Sequence, residues 1–148
     1  MYSVENHAGR LIEVKLASPL TLEEVQQFTQ KHLAVMARIQ VKYIGVVNLL
    51  DAHVFVPAVA EGLSKLLAVG ASHVERSAFL IGESAVFSLQ VERVIRESNS
   101  PNRRAFRDGR ELVAWLSEIL TPPEQIQIER FIREAMVEAP KPGRALFV

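Results

Sequence analysis

The sequence predicts a single α/β domain with a mixed, mostly parallel sheet, and three observations carry that expectation. The stretch Val41–Ala60 opens with an apolar, β-branched run, Tyr43-Ile44-Gly45-Val46-Val47, of the kind buried on both faces of a sheet. Strand-like runs alternate along the chain with stretches of helical periodicity, as parallel strands joined by crossover helices require. The 148 residues are 49% hydrophobic and 23% charged, the composition of a globular domain that buries about two-thirds of its unfolded surface without a disulfide or a metal.

The elements follow in order. Tyr2–Asn6 and Leu11–Leu16 read as an antiparallel hairpin around the turn Asn6-His7-Ala8-Gly9, with Ile12, Val14 and Leu16 alternating with Glu13 and Lys15. Thr21-Leu-Glu-Glu24 is a capping box, and Val25, Phe28, His32, Leu33 and Met36 recur at helical spacing behind it. The central strand covers Tyr43–Leu49. A helix over Val56–Ala68 then has Pro57 in its first turn and Gly70 just past its end. Val74–Ile81 is the next strand, and Ser84 caps a helix with Phe87, Val91, Val94 and Ile95 on one side. Arg104–Phe106 is a short last strand, and Asp108 caps a helix that turns Leu112, Trp115, Leu116 and Ile119 inward. Thr121-Pro-Pro-Glu124 starts a terminal helix whose apolar side holds Ile128, Phe131, Ile132 and Met136. The order is ββαβαβαβα plus a C-terminal helix. Residues 1–137 form the domain, and 138–148 read as a flexible tail.

Composition also excludes functions. Seventeen basic and seventeen acidic residues balance, without the basic excess that a nucleic-acid binder needs. With no cysteine, disulfides, thiolate catalysis and sulfur-ligated zinc are out. No apolar run approaches the ~18 residues of a membrane span, and MYSVENHAGR lacks the apolar core of a signal peptide. A cytoplasmic protein without a membrane span is expected.

Four groups of residues are candidates for chemistry, each with a plainer alternative. Asp51 and His53 follow the central strand, where a carboxylate orienting an imidazole makes a general base. Residues two apart in an extended stretch point opposite ways, however, and a turn aspartate beside a surface histidine explains them as well. Gly82 and Ser84 stand at a strand-to-helix turn suited to an anion, or to a simple helix cap. Arg103, Arg104 and Arg107, with Arg93, Arg96 and Arg110, concentrate forked cations suited to phosphate or carboxylate, or form a salt-bridged surface. The terminal helix is either the last wall of the core or an exposed apolar stripe through which two copies pair as a homodimer. His7, His32 and His73 show no metal-ligand spacing, so neither a metal nor a cofactor is expected.

The order over residues 2–120, a hairpin and then strand–helix units, resembles the SpoIIAA-like fold of the STAS superfamily. Arg103–Leu120, RRAFRDGRELVAWLSEIL, is similar to the closing strand and helix of bacterial STAS-like proteins. In the anti-sigma-factor antagonists of that superfamily, a strand ending in Asp is followed by Asp-Ser-Ser-Gly at a helix start, and a partner kinase phosphorylates the first serine. Laid along that pattern, Asn48 stands at the strand aspartate and Val56-Pro57-Ala58-Val59 at the phosphorylated turn, with Pro57 in the serine's place. The resemblance therefore implies a non-catalytic, protein-interaction or regulatory module without the phosphoserine switch. Its contact surfaces would be Asp51, His53 and Pro57 with the terminal helix at Ile128, Phe131 and Ile132. The alternative is a domain for a small ligand (an anion, a nucleotide or a lipid), held at Gly82–Ser84 and the arginines or between sheet and helices. An enzyme with Asp51 or His53 as base ranks third.

Overall fold

The computed structural model describes residues 1–138, so the tail, apart from its first residue, lies outside the described residues. Five strands, β1 (Tyr2–Ala8), β2 (Leu11–Leu16), β3 (Tyr43–Asn48), β4 (Val74–Leu80) and β5 (Arg103–Phe106), form one sheet in the order β1-β2-β3-β4-β5. β1 is antiparallel to β2, and every other pairing is parallel. The helices are α1 (Leu22–Arg38), α2 (Pro57–Gly70), α3 (Ala85–Glu97), α4 (Gly109–Ser117) and α5 (Pro122–Glu138). The element order and the mixed sheet with its antiparallel edge are as the sequence predicts.

Strands added one after another in the same direction, through crossovers of one hand, must carry their helices on one face. α1, α2 and α3 accordingly share a core with Ile12, Val14, Val47 and Phe79. α4 and α5 cover the other face, where Leu11, Ile44, Val46, Ala78 and Leu80 meet Leu112, Leu116, Ile128 and Ile132. The sheet is thus a middle layer buried on both sides, as the uninterrupted apolar run of β3 requires.

Two local expectations need correction. β1 continues through His7 to Ala8, and the turn tightens to Gly9-Arg10. Polar composition hides this extension. The Asn6 side chain donates to the Gly9 and Leu11 carbonyls at 2.9 and 2.7 Å, and Gly9 takes φ +48°, a conformation that disfavours a side chain. In α1, Val35 is buried and Leu33 faces water, because the helix presents Val25, Phe28, His32 and Val35 as its inner stripe.

α5 is a wall of the core. Ile128 is fully buried and Ile132 is 6% exposed, and both pack against the sheet. The expectation that these residues present an interaction or dimer surface is therefore corrected: their apolar stripe is already spent on β2–β4 and α4. Phe131 is half-buried at the edge of the same cluster.

Candidate functional site

Register across the sheet creates an unusual row on the α1–α3 face. Ile12 pairs with Gly45, Gly45 with Ser77, and Ser77 with Arg103. The neighbouring row is Val14, Val47, Phe79 and Ala105, which is bulky at its centre. Two small residues side by side on β3 and β4 leave the sheet surface low where helices pass overhead. A β-carbon on Gly45 would meet the Ser77 Oγ at 3.0 Å and the Tyr43 ring at 3.3 Å, so glycine is what keeps this floor low.

Over that floor lies a cavity of about 60 Å³, between the sheet and α1, α2 and α3. Its walls are apolar, with Phe28, Leu63, Leu66, Phe79, Val91 and Val94 among them. Phe55, 8% exposed, contributes from the connection between β3 and α2 and stacks edge-on against Phe87. The Gln90 amide fixes Phe55 by accepting from its N–H and donating to its carbonyl, both at 2.8 Å.

Five polar side chains line this apolar space: His32, Tyr43, Ser77, Gln90 and Arg103. Arg103 is 6% exposed and His32 is 8% exposed. The Arg103 Nη2 donates to the Leu67 carbonyl at 2.9 Å, close to the C-terminus of α2, where a cation is favoured. Its Nε, and the Nδ1 of His32, are buried without a hydrogen-bond partner among the described residues. No carboxylate pairs with Arg103 there either. His32 stands edge-on between Phe28 and Tyr43. Burial, and then the charge of Arg103, push its imidazole from the ordinary 6.5 down to about 4, so the ring is neutral at physiological pH.

The arginines anticipated as one anion site are dispersed. Strand alternation sends Arg103 to the cavity face and Arg104 to the other, where its guanidinium lies 5.3 Å from the Phe106 ring centre and 5.9 Å from that of Trp115. Arg107 is exposed and donates to the Ser88 Oγ at 3.1 Å. Ser84 caps α3, accepting from the Phe87 N–H at 3.2 Å, and Gly82 is half-buried before it. Asp51 lies 3.2 Å from the Lys15 Nζ, and exposed His53 donates its backbone N–H to the Ser18 Oγ. Pro57 is exposed at the first position of α2, and the Asn48 side chain accepts the Leu50 N–H at 2.9 Å in the turn after β3.

A second hollow, of about 610 Å³, lies between β1–β2 and α5. Its buried carboxylate, Glu13, is already partnered. His7 contacts Glu5 at 2.6 Å and Glu13 at 3.0 Å, and Gln127 donates to Glu13 at 2.9 Å. Among the described residues no group of three or more ionisable side chains could hold a metal, and no helix is long and apolar enough to cross a membrane.

Sequence reading singles out Arg103 but misses its companions Gly45, Ser77, His32 and Tyr43. The one signal for them is a glycine inside an otherwise β-branched strand, which marks close approach or vacancy. No family model matches the chain, and no curated protein is significantly similar to it.

Proposed function

We propose that the protein is a small-ligand-binding domain whose ligand enters the cavity between the sheet and α1–α3. One observation carries the reading: an apolar cavity in the domain's core is lined by a buried arginine that has, among the described residues, an unpartnered N–H and no counter-ion. An isolated buried cation costs several kcal/mol, a cost that binding of a complementary group removes. Concave, largely apolar spaces with few polar groups are also the usual form of small-molecule sites. The SpoIIAA-like, STAS-type reading remains part of this proposal, supported by the hairpin followed by strand–helix units. In it the domain is regulatory and non-catalytic, works in the cytoplasm, and reports ligand occupancy to a partner through the exposed β3–α2 connection, of which Phe55 lines the cavity.

Native mass spectrometry of the protein purified from cells, beside a denaturing spectrum, tests the reading. The expected result is an excess mass lost on denaturation and absent from Ser77→Val, whose added methyls occupy the cavity. A wild-type protein without excess mass, whose melting midpoint is unmoved by small aromatic and aliphatic compounds, would overturn it.

A further inference from the structure

We propose that the ligand is a compact organic acid, its carboxylate seated on Arg103 and His32 and its hydrocarbon body over Gly45 and Ser77. This inference rests on the cavity being a ligand site and adds the chemistry of the ligand. Among the described residues lining the cavity, Arg103 supplies the one permanent charge. With Nη2 committed to the Leu67 carbonyl, its Nε remains for an acceptor. A neutral imidazole offers one N–H and one lone pair, so His32 adds a single donor. One permanent cation matches a monoanionic carboxylate. A phosphate dianion needs more positive charge than this lining holds. The remaining walls are aliphatic and aromatic, which selects an apolar body. A volume of about 60 Å³ restricts that body to a short aliphatic chain and excludes an aromatic ring, a nucleotide or a long acyl chain.

The test compares propionate, propionamide, 1-propanol and formate by NMR titration of the full chain, following shifts of Gly45, Ser77 and the His32 ring. Propionate should bind at least about tenfold more tightly than propionamide or propanol, a charge-assisted hydrogen bond being the difference. Formate, with the head but no body, should bind weakly. The propionate preference should vanish in Arg103→Met, and bound propionate should raise the pH at which the wild-type His32 ring titrates. Equal affinity of the wild type for propionate and propionamide would refute the head-group assignment and leave the cavity reading standing. If none of the three propyl compounds shifts Gly45 or Ser77, the cavity reading fails and this inference with it. The wild-type comparison of acid with amide decides the matter even if Arg103→Met does not fold.

Discussion

The two faces of the sheet are packed to different standards. Under α4 and α5, Leu11, Ile44, Val46, Ala78, Leu80, Leu112, Leu116 and Ile128 are all fully buried, with aliphatic side chains meeting aliphatic side chains. The buried carboxylates on that side are satisfied: Glu13 accepts from Gln127 at 2.9 Å, and in Glu124 one oxygen accepts the Arg10 N–H at 2.8 Å and the other the Thr121 N–H at 2.9 Å. That side leaves one neutral hydroxyl, on Ser117, without a partner among the described residues; under α1–α3 there is a cavity, and there a guanidinium, that of Arg103, and the His32 ring keep nitrogens without partners among those residues. One side therefore spends its burial on stability. The other gives up packing and hydrogen bonding in one place, and such concessions mark sites of function.

Substitutions can sharpen this contrast. Ile128→Ala, in the dense face, should cost about 4 kcal/mol in denaturant-measured stability, because the removed atoms have neighbours on every side. Leu66→Ala, beside the cavity, should cost nearer ~2 kcal/mol, since that leucine already lacks contacts on one side. Equal costs would contradict the claimed difference in packing.

Acid provides the next largest effect. An unfolded chain protonates His32 near its ordinary 6.5, whereas the folded chain does so only at about 4. Between those values the unfolded state binds the extra proton, so stability falls as pH drops, by up to about 3 kcal/mol in total. His32→Phe, which preserves the aromatic stack with Phe28 and Tyr43, should flatten the profile in that window, as urea midpoints at successive pH values will report. A profile as steep as that of the wild type would remove His32 from the account.

Glu124→Gln places an amide N–H against a backbone donor and should cost about 2 kcal/mol. Ser77→Val should change stability by less than about 1 kcal/mol, its methyls entering vacant space. A thermal melt that shows a loss several times larger would mean that the cavity is filled in solution by something the valine displaces.

Much of the fold is legible in the sequence because period and punctuation agree. Thr21 with Glu24, Ser84 and Asp108 each mark a helix start that the structure shows capped. The place of α5 is not legible, since the spacing of Ile128 and Ile132 reveals an apolar stripe without revealing what lies beneath it. The site is harder still. Arg103 and Arg104 look like neighbours in sequence, yet adjacent strand residues face opposite ways. The cavity depends on Gly45 lying opposite Ser77, a register between strands that no local pattern encodes.

The sequential order of the strands has a consequence for synthesis on the ribosome. Each parallel strand docks on an edge already made, so the sheet can grow as the chain emerges, with α1, α2 and α3 closing one side in turn. The opposite side stays bare until the last helices appear, leaving Leu11, Ile44, Val46, Ala78 and Leu80 exposed on the nascent chain. The carboxylate of Glu124 then reaches back to the backbone of Arg10, joining late residues to the first hairpin. A chain halted before Gly109 would carry a completed sheet with one greasy side, a natural client for a chaperone.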